Sequence, residues 1–179
     1  MSPSPRLLAL VLSLTGCHFK PAGPELVSES TKKVISGQLE LALPHHPSGE
    51  TYKLAAHRGQ VVLIDVWATW CEPCRDALPL YQDMATEFRS RGLEVITINV
   101  DEDVQGIEPF LASAKVNLPV LRDPNGHFAE SRLQVKLMPT AFLVDKTGVV
   151  RFVHEGFDEG QLSTWLQEIE SLLAEKWQP

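Results

Sequence analysis

The sequence predicts an α/β protein built on a mixed sheet with helices on both faces. Three observations carry that expectation. Two apolar, β-branched runs, residues 61–67 (VVLIDVW) and 93–100 (LEVITINV), have the pattern of strands buried on both faces. Segments of helical periodicity alternate with such runs, as parallel strands wound around crossover helices require. The chain then closes on a β-hairpin and one more amphipathic helix.

Taken in order, residues 39–43 and 51–54 are short alternating stretches on either side of Pro44-His45-His46-Pro47-Ser48-Gly49, which reads as a hairpin with a long polar turn. Strand 61–67 follows the Arg58-Gly59 breaker. A helix is expected over residues 72–90, with Pro73 in its first turn, where a missing N–H costs little, and Pro79 in its interior, where it should kink. Strand 93–100 leads through Asp101-Glu102-Asp103 to a helix over 104–115, then a short strand at 118–121, a turn at 123–126 and a short helix at 128–134. Strands 140–145 and 149–153 are joined by Asp145-Lys146-Thr147-Gly148, with glycine at the left-handed position. The last helix, 159–176, places Leu162, Trp165, Leu166, Ile169, Leu172 and Leu173 on one face.

The chain has 179 residues, 44% of them apolar and 22% charged, which fits one globular domain with some extra length. Its formal charge of −7 offers no phosphate-binding surface, so nucleic acid is not an expected partner. The extra length lies at the start. Arg6 precedes an apolar run over residues 7–14, too short for a bilayer span but suited to a secretory signal peptide. Leu14-Thr15-Gly16-Cys17 resembles a bacterial lipobox. That resemblance implies cleavage before Cys17 and its lipidation, with residues 1–16 as signal peptide, 17–36 as a flexible tether and 37–179 as the domain. The protein would then be a membrane-anchored lipoprotein facing the periplasm or the extracellular side. A plain signal peptide with a chance cysteine is the other reading.

Only Cys71 and Cys74 then remain, separated by Glu72 and Pro73. One CxxC pair in an exported domain is a candidate redox switch rather than a scaffold. Cys71 falls where a buried strand hands over to a helix, and the helix N-terminus favours a thiolate there. Cys74 lies one turn deeper, so Cys71 should attack and Cys74 should resolve the mixed disulfide. Zinc would need further ligands, commonly a second pair, and none is present. A copper carrier using Cys71, Cys74 and His154 and an inert structural pair are the remaining readings. Asp65 interrupts the apolar strand six residues before Cys71, and a carboxyl buried there should titrate high.

At this point a resemblance becomes specific. VVLIDVWATWCEPC, residues 61–74, is similar to the active-site strand and motif of the thioredoxin superfamily, and Met138-Pro139-Thr140 resembles its cis-proline loop. TAFLVDKTG, residues 140–148, and the inserted helix near 104–115 resemble the exported TlpA/ResA-like branch. The likeness runs from about residue 37 to 173.

The resemblance implies a thioredoxin-like fold with an N-terminal hairpin and an inserted helix, and a thiol:disulfide oxidoreductase that needs no dissociable cofactor and no metal. Cys71 then matches the exposed nucleophile, Cys74 the buried resolving cysteine, and Trp70 the tryptophan packed beside the disulfide. Pro139 matches the cis-proline facing the sulfurs, its turn presenting the Met138 backbone to an extended client, with Thr140 also shaping the site; an ordinary trans turn proline is the alternative. Asp65 matches the acid that exchanges a proton with the resolving cysteine; a carboxylate paired with Lys or Arg is the alternative. ResA-like proteins carry an acid three residues after the second cysteine, where this chain has Ala77.

Glu72, between the cysteines, opposes a Cys71 thiolate and so favours the disulfide, which points to a reductant; alternatively it is only a solvated first-turn residue. The expected partners are client protein disulfides, including cytochrome c CxxCH or copper-site cysteines, and a membrane electron donor. A disulfide-donating oxidant is the alternative. The stretch before Cys71 lacks the Pro and Thr of a peroxiredoxin site. His45-His46 reads as a solvated turn, and Asp101-Glu102-Asp103 as helix-capping acids.

Overall fold

The computed structural model describes residue 35 and residues 37–178. The expected signal peptide, Cys17 and nearly all of the expected tether lie outside the described residues. Seven strands form one mixed sheet in the order β2-β1-β5-β4-β3-β6-β7. They are β1 (Ala42–His46), β2 (Thr51–Lys53), β3 (Val61–Trp67), β4 (Leu93–Asn99), β5 (Val120–Arg122), β6 (Thr140–Val144) and β7 (Val150–Glu155). The helices are α1 (Glu72–Phe88), α2 (Ile107–Ala114), α3 (His127–Ser131) and α4 (Leu162–Ala174).

β3 lies inside the sheet because every one of its residues is buried. It runs parallel to β4 and antiparallel to β6, with Asp65 in register with Thr97 on one side and Ala141 on the other. Alternation along β3 divides the core. Val61, Leu63 and Trp67 pack with α1, α2 and α4 through Cys74, Leu78, Tyr81, Phe110, Trp165 and Ile169. Val62, Ile64 and Val66 face the other way, against Tyr52, Leu54, Phe142 and the α3 residues Ala129 and neighbouring Leu133. A fully buried side chain such as Leu63 contributes roughly 1.5–3 kcal/mol of burial free energy.

Several boundaries move. The first strand starts three residues later than expected, and His45 and His46 lie in β1 rather than in a solvated turn. The reason is a distant partner: His45 pairs with Leu121 and His46 with Val120, which joins the hairpin to the main sheet. The His46 side chain is only 11% exposed and sits 3.1 Å from Glu108. Leu39 and Leu41 are buried, but as extended chain held by Leu39 N–H on the Gly148 carbonyl and Leu54 N–H on the Leu41 carbonyl.

α1 ends at Phe88 and tightens into a 3-10 turn that stops at Gly92, whose φ of 100° is left-handed. α2 starts at Ile107 rather than 104, and β5 starts two residues later and ends one residue later than the expected strand. α4 is preceded by a separate 3-10 turn capped by the Asp158 carboxylate. Among the described residues no helix is long and apolar enough to cross a membrane.

Candidate active site

β3 ends at Trp67, and the chain turns through residues 68–70 into α1. Cys71 is the residue before the first helical turn, its N–H bonded to the Ala68 carbonyl, and Pro73 sits in that turn. Cys71 and Cys74 are joined by a disulfide with Cα atoms 5.4 Å apart. Cys74 is fully buried and Cys71 keeps 5% exposure, so of the two residues only Cys71 reaches the surface. Glu72 and Pro73 are exposed beside it.

Trp70, expected to pack beside the disulfide, is 69% exposed. It lines a groove of about 390 Å³ with Val100, Glu102, Lys136, Leu137 and Met138. Leu137 is also a largely exposed apolar side chain. The Met138–Pro139 bond is cis. Thr140 pairs with Val66, which places Pro139 at the Trp67 end of β3, the end from which Cys71 follows. Pro139 is buried, its carbonyl accepts the Gly156 N–H, and Thr140 donates its hydroxyl to the Leu137 carbonyl. A larger groove, of about 650 Å³, is lined by His57, Gln82, Arg89, Glu94 and Asn117 at the opposite end of the sheet and does not touch the cysteines.

Asp65 is completely buried, and neither of its carboxyl oxygens has a hydrogen-bond partner among the described residues. The pairing with Lys or Arg considered above is therefore not seen there. Burial pushes its carboxyl well above the usual carboxylate range. Ala77, at the position where an acid was looked for, is buried in the same core as Cys74.

Sequence reasoning missed the anchor of the active-site loop. Asp101 accepts the Thr69 N–H at 3.0 Å and the Thr69 hydroxyl at 3.1 Å, and Asn99 Nδ2 donates to it at 2.7 Å. Arg122 donates to Asn99 Oδ1 and to the Asp101 carbonyl. Asp101 thus ties the loop before Cys71 to the end of β4, and no acid of the 101–103 run caps α2. The available signal was polar: Asn99 and Arg122 are odd residues for buried strands. His154, considered as a copper ligand, is bonded to Glu168 at 2.6 Å and stacked on Trp165. Among the described residues no group of three or more His, Cys, Asp or Glu side chains is placed to hold a metal ion.

Residues 38–153 match the model of the AhpC/TSA family. The chain is 30% identical over 123 residues to the thiol-disulfide oxidoreductase ResA of Bacillus subtilis, covering 68% of each protein. It is 28% identical over 122 residues to a ResA of Bacillus thuringiensis, covering 68% of this chain and 70% of that one. Among solved structures it resembles a protein described as a thiol:disulfide interchange protein, DsbE, from Chlorobium tepidum. That likeness has a TM-score of 0.70 and 34% identity, over 75% of this chain and 94% of the other.

Proposed function

The chain belongs to the AhpC/TSA family and is a thiol-disulfide oxidoreductase of the ResA/DsbE type, with a thioredoxin-like fold; from that premise we propose that it reduces client disulfides outside the cytoplasm. The observation that carries the reading is the Cys71–Cys74 disulfide at the start of α1, one residue reaching the surface and the other fully buried.

In the reduced enzyme the Cys71 thiolate attacks a client disulfide. One client sulfur leaves as thiolate, and the other stays bonded to Cys71. Cys74 passes its proton to the Asp65 carboxylate and attacks the Cys71 sulfur, releasing the second client thiolate. Two electrons have moved to the client, and the enzyme holds the disulfide. An ordinary carboxylate is a poor base for a thiol; one pushed up by burial is better matched. Trp70 and Leu137 offer apolar contact along the groove, which Met138 also lines. Glu72 opposes the Cys71 thiolate, which stabilises the disulfide and suits a reductant.

The same proposal includes the cellular setting. Residues 1–16 direct export, Cys17 carries the lipid, residues 17–36 tether the domain 37–179, and a membrane protein resupplies electrons. CxxCH or copper-site cysteines are suitable clients. The test is the potential of the Cys71–Cys74 couple, read by thiol trapping in graded thiol/disulfide buffers. A value near about −270 mV supports the reductant; one near about −120 mV makes the protein an oxidant and overturns the role of Glu72. No disulfide at any poise would overturn the redox reading and put copper binding first.

A further inference from the structure

Arg122, the last residue of β5, and Asp123, which follows it, are both buried charges. Burying a charge is costly unless its hydrogen bonds are made. Neither residue forms an ion pair among the described residues. Their hydrogen bonds go to the main chain and to one side-chain amide. Arg122 donates to Asn99 Oδ1 and to three successive carbonyls, that of Asp101 at 2.8 Å and those of Glu102 and Asp103 at 3.3 Å each. The Asp123 carboxylate accepts the Phe128 N–H at 3.0 Å and the Ala129 N–H at 2.8 Å.

Successive residues of a strand point to opposite faces of its sheet. Val120 packs in the core shared with α1 and α2, and Leu121 in the core shared with α3. The next two residues repeat that alternation: Arg122 meets the segment that leads into α2, and Asp123 meets α3 itself. Both segments line the groove that contains Trp70 and Leu137, the first through Glu102, the second through Ala129 and Glu130. The Asn125 N–H, bonded to the Val100 carbonyl at 3.2 Å, joins the two. On the Arg122 side the wall also fits closely on the active-site loop. Asp101 holds the Thr69 amide and hydroxyl, and a Cβ added at Gly106 would meet the Thr69 side chain at 3.3 Å. Trp70 follows Thr69 in the chain, so its place depends on the same contacts.

We propose that Arg122 and Asp123 are positioning residues for client binding: they fix two walls of the groove at the spacing in which an extended client presents its disulfide to Cys71. The inference rests on the reading of that groove as the client site. Neither residue is among those lining the groove, so a client senses them only through the walls they hold. β5 is a firm base for the task, because it is paired with β4 on one side and β1 on the other. A guanidinium suits it as well: its planar fork of donors serves several acceptors at once, whereas a lysine ammonium is a point charge.

Arg122→Lys keeps the charge and removes the fork, and Asp123→Asn keeps the shape and removes one acceptor. Each variant, in its reduced form, is mixed with rising concentrations of an unfolded peptide that carries one disulfide flanked by apolar residues. A parallel series uses hydroxyethyl disulfide, which is too small to span the groove. Oxidation of Cys71 and Cys74 is read by acid quench and thiol trapping. The half-saturating peptide concentration should rise about fivefold, while the maximal rate and the rate with the small disulfide change less than about twofold. Peptide kinetics that match the wild type would overturn the inference. So would losses of equal size on both disulfides, which would mean that the two residues only hold the fold. Where Arg122→Lys does not fold, Arg122→Gln, which buries no charge, is read in the same way. Trp70→Ala separates the two levels. If it raises the half-saturating concentration while the Arg122 and Asp123 variants do not, the positioning role alone fails. If Trp70→Ala also matches the wild type, the reading of the groove fails with it.

Discussion

Replacing Asp65 by Asn should stabilise the oxidised protein, by an amount that depends on pH in a defined way. The folded carboxyl is fully buried without a partner among the described residues, and burial holds its pKa well above the usual range. In the unfolded chain the same group ionises near pH ~3.9. Below that pH both states hold the proton and the group makes no pH-dependent contribution. Above it the unfolded chain releases a proton that the folded state retains, so wild-type stability falls by about 1.4 kcal/mol per pH unit until the folded carboxyl itself ionises. Asparagine has no such loss.

The gap between variant and wild type should therefore be smallest near about pH 4 and widen by about 1.4 kcal/mol between about pH 4.5 and 5.5. Urea unfolding across about pH 4 to 8 reads it: with an m-value of about 2 kcal/mol/M, each unit of pH separates the midpoints by roughly 0.7 M. Every other titrating group is common to both proteins and cancels. A gap that stays constant over this range would refute the reasoning, because it would mean that Asp65 ionises in the folded protein as it does in water.

Two further outcomes follow from the site. Glu72→Gln removes an exposed negative charge beside Cys71, so the couple should become more oxidising, by no more than about 20 mV given the small worth of exposed charges; thiol-trapping titration of both proteins would reveal a shift of the wrong sign. Asp101→Ala strips the partners from the Thr69 amide and hydroxyl and from Asn99, so it should cost about 1–3 kcal/mol in urea unfolding and slow client reduction through a loosened loop; unchanged stability would mean that Asp101 does not hold the loop.

Local signals in the chain were strong wherever one segment decides its own fate. The seven apolar residues of β3, the CxxC at its exit and the Asp-Lys-Thr-Gly turn needed no distant partner to be read. The misplaced features depend on contacts far along the chain. β1 slid three residues because it pairs with β5, some seventy-five positions away, and alternation within residues 39–43 cannot report that. Asp101 looked like a capping acid because its partner, Thr69, is 32 residues earlier. Asp65 stood out as a charge in an apolar strand, yet nothing local told that its carboxyl finds no hydrogen-bond partner among the described residues. An amphipathic helix shows which residues face inward, not which of them meets a given strand residue.

The two margins of the sheet, unpaired among the described residues, bear on how the protein meets unfolded chains. An oxidoreductase meets clients in extended form, and an exposed, flat strand would pair with such a chain along its whole length. Here β2 is only three residues long and largely solvated, ending on Lys53. At the other margin β7 carries Arg151, His154 and Glu155, and its register against β6 is broken between Leu143 and Val144. Neither border makes a good template. On the proposed reading, client capture then falls to the Cys71 sulfur and the short groove lined by Trp70, and the sheet borders give an unfolded chain little to pair with.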